Sequence, residues 1–134
     1  MKNLATLKKS LLKSALVILL SAISIFSNAS VSTVNPVSFT AVVNNNNTNK
    51  VDLKWSTETE TNLSHFIVER SIDGTNFNDA ALVFAYGNTT ARSDYAFADN
   101  ISKLHSTVVY YRISSIGSDG KNQYSDIRII RIAK

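Results

Sequence analysis

Apolar and polar residues alternate with a period of two along most of this chain, starting near Val37. In the clearest stretch, Val51, Leu53 and Trp55 are apolar and the two residues between them are charged. This period is typical of β-strands that bury one face. The same part of the chain has no stretch with a convincing 3.6-residue period, so we predict an all-β domain.

Two Asp-Gly pairs, Asp73-Gly74 and Asp119-Gly120, each come directly after an alternating segment. Glycine adopts positive φ without steric cost, which makes Asp-Gly between two strands one of the strongest short-range signals for a hairpin. We therefore expect each pair to join two antiparallel neighbours.

Clusters of turn-forming residues divide the chain into seven candidate strands, at residues 36–43, 51–55, 66–71, 80–86, 95–97, 107–116 and 123–132. Short strands at near-regular spacing favour a two-sheet sandwich. We predict a seven-stranded antiparallel β-sandwich. Its core is expected to contain Val51, Leu53, Trp55, Phe66, Val68, Tyr95, Phe97, Val109, Tyr111 and Ile113.

Two segments depart from simple alternation. Residues 57–64 are polar and are expected to form a loop between the second and third strands. In the last predicted strand, Ile127 and Ile129 lie on one face, whereas Ile130 and Ile132 lie on the other. That change of face implies a β-bulge or a strand that is covered on both sides.

The first 29 residues have the pattern of a secretory signal peptide. Four lysines precede an apolar run at residues 14–26, and Ser27-Asn28-Ala29 provides the small residues that a signal peptidase reads. The run has 13 residues, whereas a membrane anchor needs about 20. We predict a helical signal peptide at 1–29, a flexible lead-in at 30–36 and a sandwich domain at 37–134. The protein is expected in the periplasm, outside the cell or at its surface.

Removal of the leader changes the charge balance. All four charged residues of the leader are lysines, so the remaining 105 residues (134 less 29) hold ten Lys and Arg against ten Asp and Glu. The basic pI of about 9.4 therefore belongs to the leader. The pI gives no reason to expect nucleic acid or an anionic membrane as a partner. Because the chain has no cysteine, its stability must come from the apolar core.

A series of motifs resembles the fibronectin type III-like module of secreted Bacteroidota proteins. It extends over residues 37–132 and comprises Val51-Asp-Leu-Lys-Trp-Ser56, Glu60-x-Asn62, Phe66-x-Val68-Glu-Arg-Ser71, Asp73-Gly74, Phe77, Gly87-Asn88, Tyr95-x-Phe97-x-Asp99, Tyr110-Tyr-Arg-Ile113, Asp119-Gly120 and Tyr124-Ser125. The resemblance implies a sandwich that serves as a spacer or interaction module and brings no catalytic residues or cofactor.

In that family the module usually precedes the C-terminal sorting domain of the type IX secretion system. Two features differ here: Gly117 replaces the family's usual acid after the sixth strand, and no sorting domain follows the last strand before Lys134. The leader alone supports delivery to the periplasm. A stand-alone relative and a truncated front part of a larger type IX-secreted protein both remain open.

The residue types used in catalysis and metal binding form no recognisable constellation. His65 and His105 are 40 positions apart, no serine lies in a Gly-x-Ser-x-Gly elbow, and the acidic residues lack calcium-loop spacing. We expect Glu58 and Glu60 to be solvated loop carboxylates, and Asp73, Asp94, Asp99 and Asp119 to serve turns and strand ends. Arg70 and Arg112 are expected to pack beside cross-strand acids. The sequence predicts no enzyme, metal or cofactor.

The fourth predicted strand is apolar on both faces. Leu82, Phe84 and Tyr86 share one face, and three small or branched residues, at positions 81, 83 and 85, share the other. We expect this strand at a sheet edge, where exposed apolar side chains attract another strand or domain. We hypothesise that Leu82, Phe84 and Tyr86 form an interaction surface. The alternative is that a loop or bulge buries them.

Two classes of function are consistent with this pattern. The first is an exported non-catalytic spacer or adhesion module whose partner is another protein or a neighbouring domain. The second is a carbohydrate-binding module in which Tyr86 and Tyr110 stack on a glycan.

Overall fold

In the computed structural model, the described part of the chain is residues 33–132, with side chains from Ser38 onward. The predicted signal peptide and the start of the predicted lead-in lie outside the described residues. The described part is all-β and consists of eight strands: β1 (Thr33–Val43), β2 (Lys50–Thr61), β3 (Leu63–Ser71), β4 (Asn78–Phe84), β5 (Ser93–Asn100), β6 (Val108–Gly117), β7 (Asn122–Tyr124) and β8 (Arg128–Arg131). None of this part forms a helix that could span a membrane.

The strands form two antiparallel sheets. The smaller sheet has the order β1-β2-β5, with β2 in the centre. The larger sheet has the order β4-β3-β6, and β7 and β8 both pair with the far side of β6. Strand β4 is therefore an edge strand. The two sheets enclose one apolar core, so the fold is a β-sandwich.

Aromatic rings join the two sheets at the centre of the core. Trp55 of β2 stacks on Tyr95 of the neighbouring β5, with ring centroids 5.6 Å apart. Phe66 of β3 contacts Trp55 edge to face at 5.5 Å and Tyr95 at 4.7 Å. These rings bury apolar area from both sheets and form a hydrophobic contact across the sandwich.

The residues that alternation assigns to the core lie where the two sheets meet. Val51, Leu53, Trp55, Phe66, Val68, Tyr95, Val109, Tyr111 and Ile113 are buried, whereas Phe97 is partly buried and packs against them. The core also includes Phe39, Leu63, Ile101 and Ile130. Inward and outward residues alternate along each strand because successive side chains point to opposite faces.

The predicted loop at 57–64 is wrong. Strand β2 continues to Thr61, and a tight turn at Asn62, where φ is 53°, leads directly into β3 at Leu63. The end of β2 stays extended because Glu60 exchanges both backbone hydrogen bonds with Thr89. Strand β1 also begins earlier than predicted, at Thr33, with register shifts on either side of Pro36.

The predicted count of seven strands is also wrong, because the last predicted strand is two strands. Strand β7 pairs Tyr124 with Ser114, and β8 pairs Arg128 with Tyr111. The two partners in β6 are three steps apart along the chain, whereas Tyr124 and Arg128 are four steps apart. One extra residue therefore interrupts the strand, as in a β-bulge. It places Ile129 outward and Ile130 in the core.

Both Asp-Gly pairs lie in the predicted hairpins. In the β6–β7 turn, the Gly120 amide donates to the Gly117 carbonyl, and φ of Gly120 is 77°. In the β3–β4 turn, Asp73 Oδ1 accepts hydrogen bonds from the Thr75 and Asn76 amides, each at 2.8 Å. Hydrogen bonds from Asn76, Thr75 and Ser71 hold the pKa of Asp73 well below its usual range.

Candidate functional site

Strand β4 exposes apolar side chains at the edge of the larger sheet. The exposed fractions are 53% for Leu82, 77% for Phe84 and 72% for Tyr86. On the opposite face, Ala81, Val83 and Ala85 pack against the core. These values answer the question that the sequence left open: no loop or bulge of the described part buries Leu82, Phe84 or Tyr86.

The backbone of Leu82 and Phe84 also faces the open edge. The Ala85 amide donates to the Ser64 carbonyl of β3, and Val83 and Ala81 follow at two-residue steps opposite Phe66 and Val68. In an antiparallel ladder only alternate residues bond to a given neighbour. The N–H and C=O groups of Leu82 and Phe84 therefore point away from β3, where no other described strand pairs with β4.

Neighbouring strands extend the apolar surface across the outer face of the larger sheet. Ile67 of β3 lies directly beside Leu82 and is partly exposed. His65 lies beside Phe84, and its Nδ1 is 3.0 Å from Ser64 Oγ. The role of Ile67 was missed in the sequence, although its position between the inward-facing Phe66 and Val68 already assigned it to the outer face. We call Ile67, Leu82, Phe84 and Tyr86 the edge patch.

Arg112 limits the edge patch toward the other end of the sheet. Its Nε donates to Glu69 Oε2 at 2.5 Å, and the two residues are cross-strand partners in β6 and β3. The guanidinium lies 4.1 Å from the ring centroid of Phe77 and 4.0 Å from that of Tyr124. The predicted pairing of Arg112 with a cross-strand acid is therefore confirmed. This cation is held on two faces by aromatic rings.

Glu60 is not the solvated loop carboxylate that the sequence predicted. Only 2% of it is exposed, and its Oε1 accepts hydrogen bonds from Thr57 Oγ1 at 2.8 Å and from Tyr95 Oη at 2.5 Å. Its Oε2 is buried and has no partner in the described part. The Tyr86 amide donates to the same Tyr95 oxygen at 3.2 Å. Glu60 and Tyr95 thereby fasten the segment after β4 to the sandwich.

The Tyr95 hydroxyl is a stable donor in this network. Burial raises its pKa to about 12, and the hydrogen bond to Glu60 adds to the shift. The hydroxyl therefore stays protonated at neutral pH. Tyr86 also packs its ring on Tyr95, with centroids 5.3 Å apart. One end of the edge patch is thus held by both a hydrogen bond and a ring contact.

Asp99 has a structural role that the sequence did not indicate. It is buried in β5, and its carboxylate accepts two hydrogen bonds from Arg70 Nη1, at 2.8 and 3.0 Å. Tyr111 Oη donates to the same carboxylate at 2.7 Å. Arg70 and Tyr111 belong to the larger sheet and Asp99 to the smaller one. The prediction that Arg70 pairs with a cross-strand acid is wrong, because its partner lies across the sandwich.

Burial raises the pKa of Tyr111, and the neighbouring Asp99 carboxylate raises it further. The Tyr111 hydroxyl therefore remains a donor. The other three aspartates of the prediction are exposed. Asp73 and Asp119 accept backbone hydrogen bonds within turns, and Asp94 pairs with Arg92 at 3.0 Å on the surface.

The histidines and carboxylates do not form a metal site within residues 33–132. No group of three His, Cys, Asp or Glu side chains comes together there. His105 is exposed in the β5–β6 connection, far from His65 in sequence, and Glu58 is exposed while Glu60 is buried. The buried carboxylates Asp99 and Glu60 act as hydrogen-bond acceptors inside the sandwich.

The two tyrosines considered for glycan stacking are far apart. Tyr110 pairs with Ser71 at one end of β3, whereas Tyr86 lies two residues beyond Phe84, whose partner is His65 at the other end. Tyr110 is also only partly exposed, and its ring packs against Gly74. The two rings therefore do not form one platform for a sugar.

A small cavity of about 50 Å³ lies between the sheets near β1 and β7. It is lined by Phe39, Trp55, Thr57, Ser115 and Gln123, among others. This volume suits one or two water molecules, whereas small-molecule pockets have about 300–1,000 Å³. The interior of the sandwich is therefore too tightly packed at this point for a substrate or cofactor.

Comparison with known proteins does not assign the chain to a family. No protein-family model matches the chain, and no curated protein matches it significantly. Among solved structures, the chain is similar to a β-1,2-glucanase from Parabacteroides distasonis, with 16% sequence identity and a TM-score of 0.47. The matched region covers 79% of this chain but only 14% of the glucanase chain.

Proposed function

We propose that this protein is an exported, non-catalytic β-sandwich module of fibronectin type III-like type, which serves as a spacer and makes protein contacts through the edge patch. The observation that carries the proposal is that Leu82 and Phe84 offer both exposed apolar side chains and an outward-facing backbone on an edge strand. An edge of this kind is the surface that β-strand addition uses.

The strand order supports the immunoglobulin-like class. The chain passes between the sheets after β2, after β4 and again after β5, which gives the Greek-key type of connection found in such sandwiches. Most motifs of the series that resembles the secreted Bacteroidota module lie within these strands or in the turns between them. The charged N-terminal segment with its apolar run supports export.

The position of the charged side chains supports a non-catalytic role. Asp99 bonds Arg70 and Tyr111, Glu69 bonds Arg112, and Glu60 bonds Tyr95. A general acid or base must reach a substrate, and each of these three carboxylates is engaged by a side chain of the protein instead.

Site-specific photo-crosslinking tests the proposed contact in cells of the organism of origin. A photoreactive phenylalanine analogue at Phe84 is expected to form a discrete protein adduct in the cell envelope, because this side chain lies at the centre of the edge patch. The same analogue at Ile129 is the control, since Ile129 is 54% exposed on β8 at the opposite side of the sheet.

Two results would contradict the proposal. Equal crosslinking at both positions would show that the edge patch has no special role, and no adduct at Phe84 would show that it has no protein partner under these conditions. Mass spectrometry of the adduct identifies the partner and also shows whether the protein begins at Ser30, as cleavage after Ala29 predicts.

A further inference from the structure

We propose that the partner of β4 is β4 of a second copy of this chain, paired antiparallel so that the two larger sheets form one continuous sheet. This inference rests on the proposed function and assigns the occupant of the edge patch. The argument depends on three properties of β4: the length of its open edge, its side chains and its charge.

The open edge is short and has clear limits. Ala80 is the extra residue at a register shift, because Val68 pairs with Ala81 and Glu69 with Asp79. At the other end, the Tyr86 amide is already bonded to Tyr95 Oη. Between these limits, Leu82 and Phe84 are the two residues whose backbone groups point outward. Any incoming strand must pair with these two residues.

Two copies of this edge complement each other in one register. If Leu82 of each copy lies opposite Phe84 of the other, both are hydrogen-bonded pairs and together exchange four backbone hydrogen bonds. Val83 then lies on the twofold axis. The interface is isologous, as is usual for dimers, because the same residues supply both sides.

The side chains fit the same register. On the outer face, each Phe84 ring lies beside a Leu82 of the second copy, and aromatic–aliphatic cross-strand pairs are favourable. Leu82 and Phe84 are more than half exposed in the single chain. Dimer formation would therefore reduce the exposure of two of the large apolar side chains that the fold leaves open.

Charge does not oppose the pairing. The sequence has no charged residue from Ala80 to Ala91, so the edge lacks the lysines that protect many edge strands from self-association. In the proposed register, Asp79 lies opposite Gly87 of the second copy, and no like charges face each other. After removal of the leader the chain is formally neutral, so long-range repulsion between copies is small.

Light scattering on the exported protein, expressed as the full chain, tests whether the dimer exists. We expect twice the single-chain mass at high concentration and dissociation on dilution. Phe84→Glu and Leu82→Pro should each abolish the dimer: the first places a charge in the patch, and the second removes an outward N–H without removing a bond to β3. Ile129→Glu, a matched change on β8, should leave the dimer intact.

Cysteine crosslinking tests the register, because the natural chain has no cysteine. In the proposed dimer the two Val83 residues form a non-hydrogen-bonded pair with Cα atoms about 4.5 Å apart, within the range of a disulfide. Val83→Cys should therefore form a covalent dimer on oxidation. Ala81→Cys alone should not, whereas a mixture of Ala81→Cys and Ala85→Cys should, because these positions lie opposite each other.

A protein that remains monomeric at all concentrations would overturn this inference, as would a dimer that survives Phe84→Glu or fails to crosslink through Val83→Cys. These results differ from a failure of the proposed function. If the photoreactive analogue at Phe84 captures a different protein while the chain itself is monomeric, the edge patch is still an interaction surface, but its partner is not a second copy.

Discussion

Replacement of Asp99 by alanine is expected to lower the free energy of unfolding by about 3–5 kcal/mol. Asp99 is the shared acceptor for Arg70 and Tyr111, and it is the only one of the three that belongs to the smaller sheet. Its removal leaves a largely buried guanidinium without its counter-ion and a buried hydroxyl without its acceptor. Both are costly in a low-dielectric interior.

Asp94 on the same strand provides a matched control. Its partner Arg92 lies two residues away, and the side chains of the pair are 57% and 71% exposed. Exposed ion pairs of this kind contribute about 0–1 kcal/mol. Urea unfolding of both alanine variants measures the difference. If Asp94→Ala is as destabilising as Asp99→Ala, the connection between the sheets through Asp99 does not contribute as described.

Replacement of Phe66 by alanine is also expected to lower the free energy of unfolding by about 3–5 kcal/mol. The Phe66 ring contacts both Trp55 and Tyr95, so its loss leaves a cavity between the two sheets. A domain of this size has a total stability of about 5–15 kcal/mol. The variant should therefore lose a large fraction of the stability of the domain and unfold at a clearly lower temperature than the natural protein.

Ile129→Ala is the control for Phe66→Ala, since Ile129 is exposed on the outer face and its truncation should change stability by less than about 0.5 kcal/mol. Thermal unfolding followed by circular dichroism compares the two variants. Similar midpoints for Phe66→Ala and the natural protein would show that the aromatic contact between the sheets is not a main source of stability.

The fold was predictable to the extent that burial follows local alternation. Val51, Leu53 and Trp55 alternate with charged residues, and each is buried as that pattern requires. The last predicted strand has apolar residues on both faces, for which the sequence left open a bulge or cover on both sides, and the structure has an extra residue between Tyr124 and Arg128. Leu82 and Phe84 stood out as the apolar side chains of a strand expected at an edge.

What the sequence did not reveal depends on contacts between distant residues. Glu60 lies in a run of Ser, Thr and Glu that looks like a solvated loop, but in the structure it is buried and accepts hydrogen bonds from Thr57 and from the Tyr95 hydroxyl, 35 positions away. Asp99 looked like a residue at a strand end, but its partner Arg70 comes from the opposite sheet. Polar residues buried by such pairing have no periodicity of their own, so a pattern-based prediction assigns them to the surface.

Amide hydrogen exchange along β4, measured by NMR in dilute solution, tests the central claim most directly. The account predicts alternation: the amides of Ala81, Val83 and Ala85 are protected by bonds to β3, whereas those of Leu82 and Phe84 exchange rapidly because they face the open edge. Uniform protection of all five amides in the dilute monomer, or rapid exchange of all five, would contradict the sandwich with an open β4 edge.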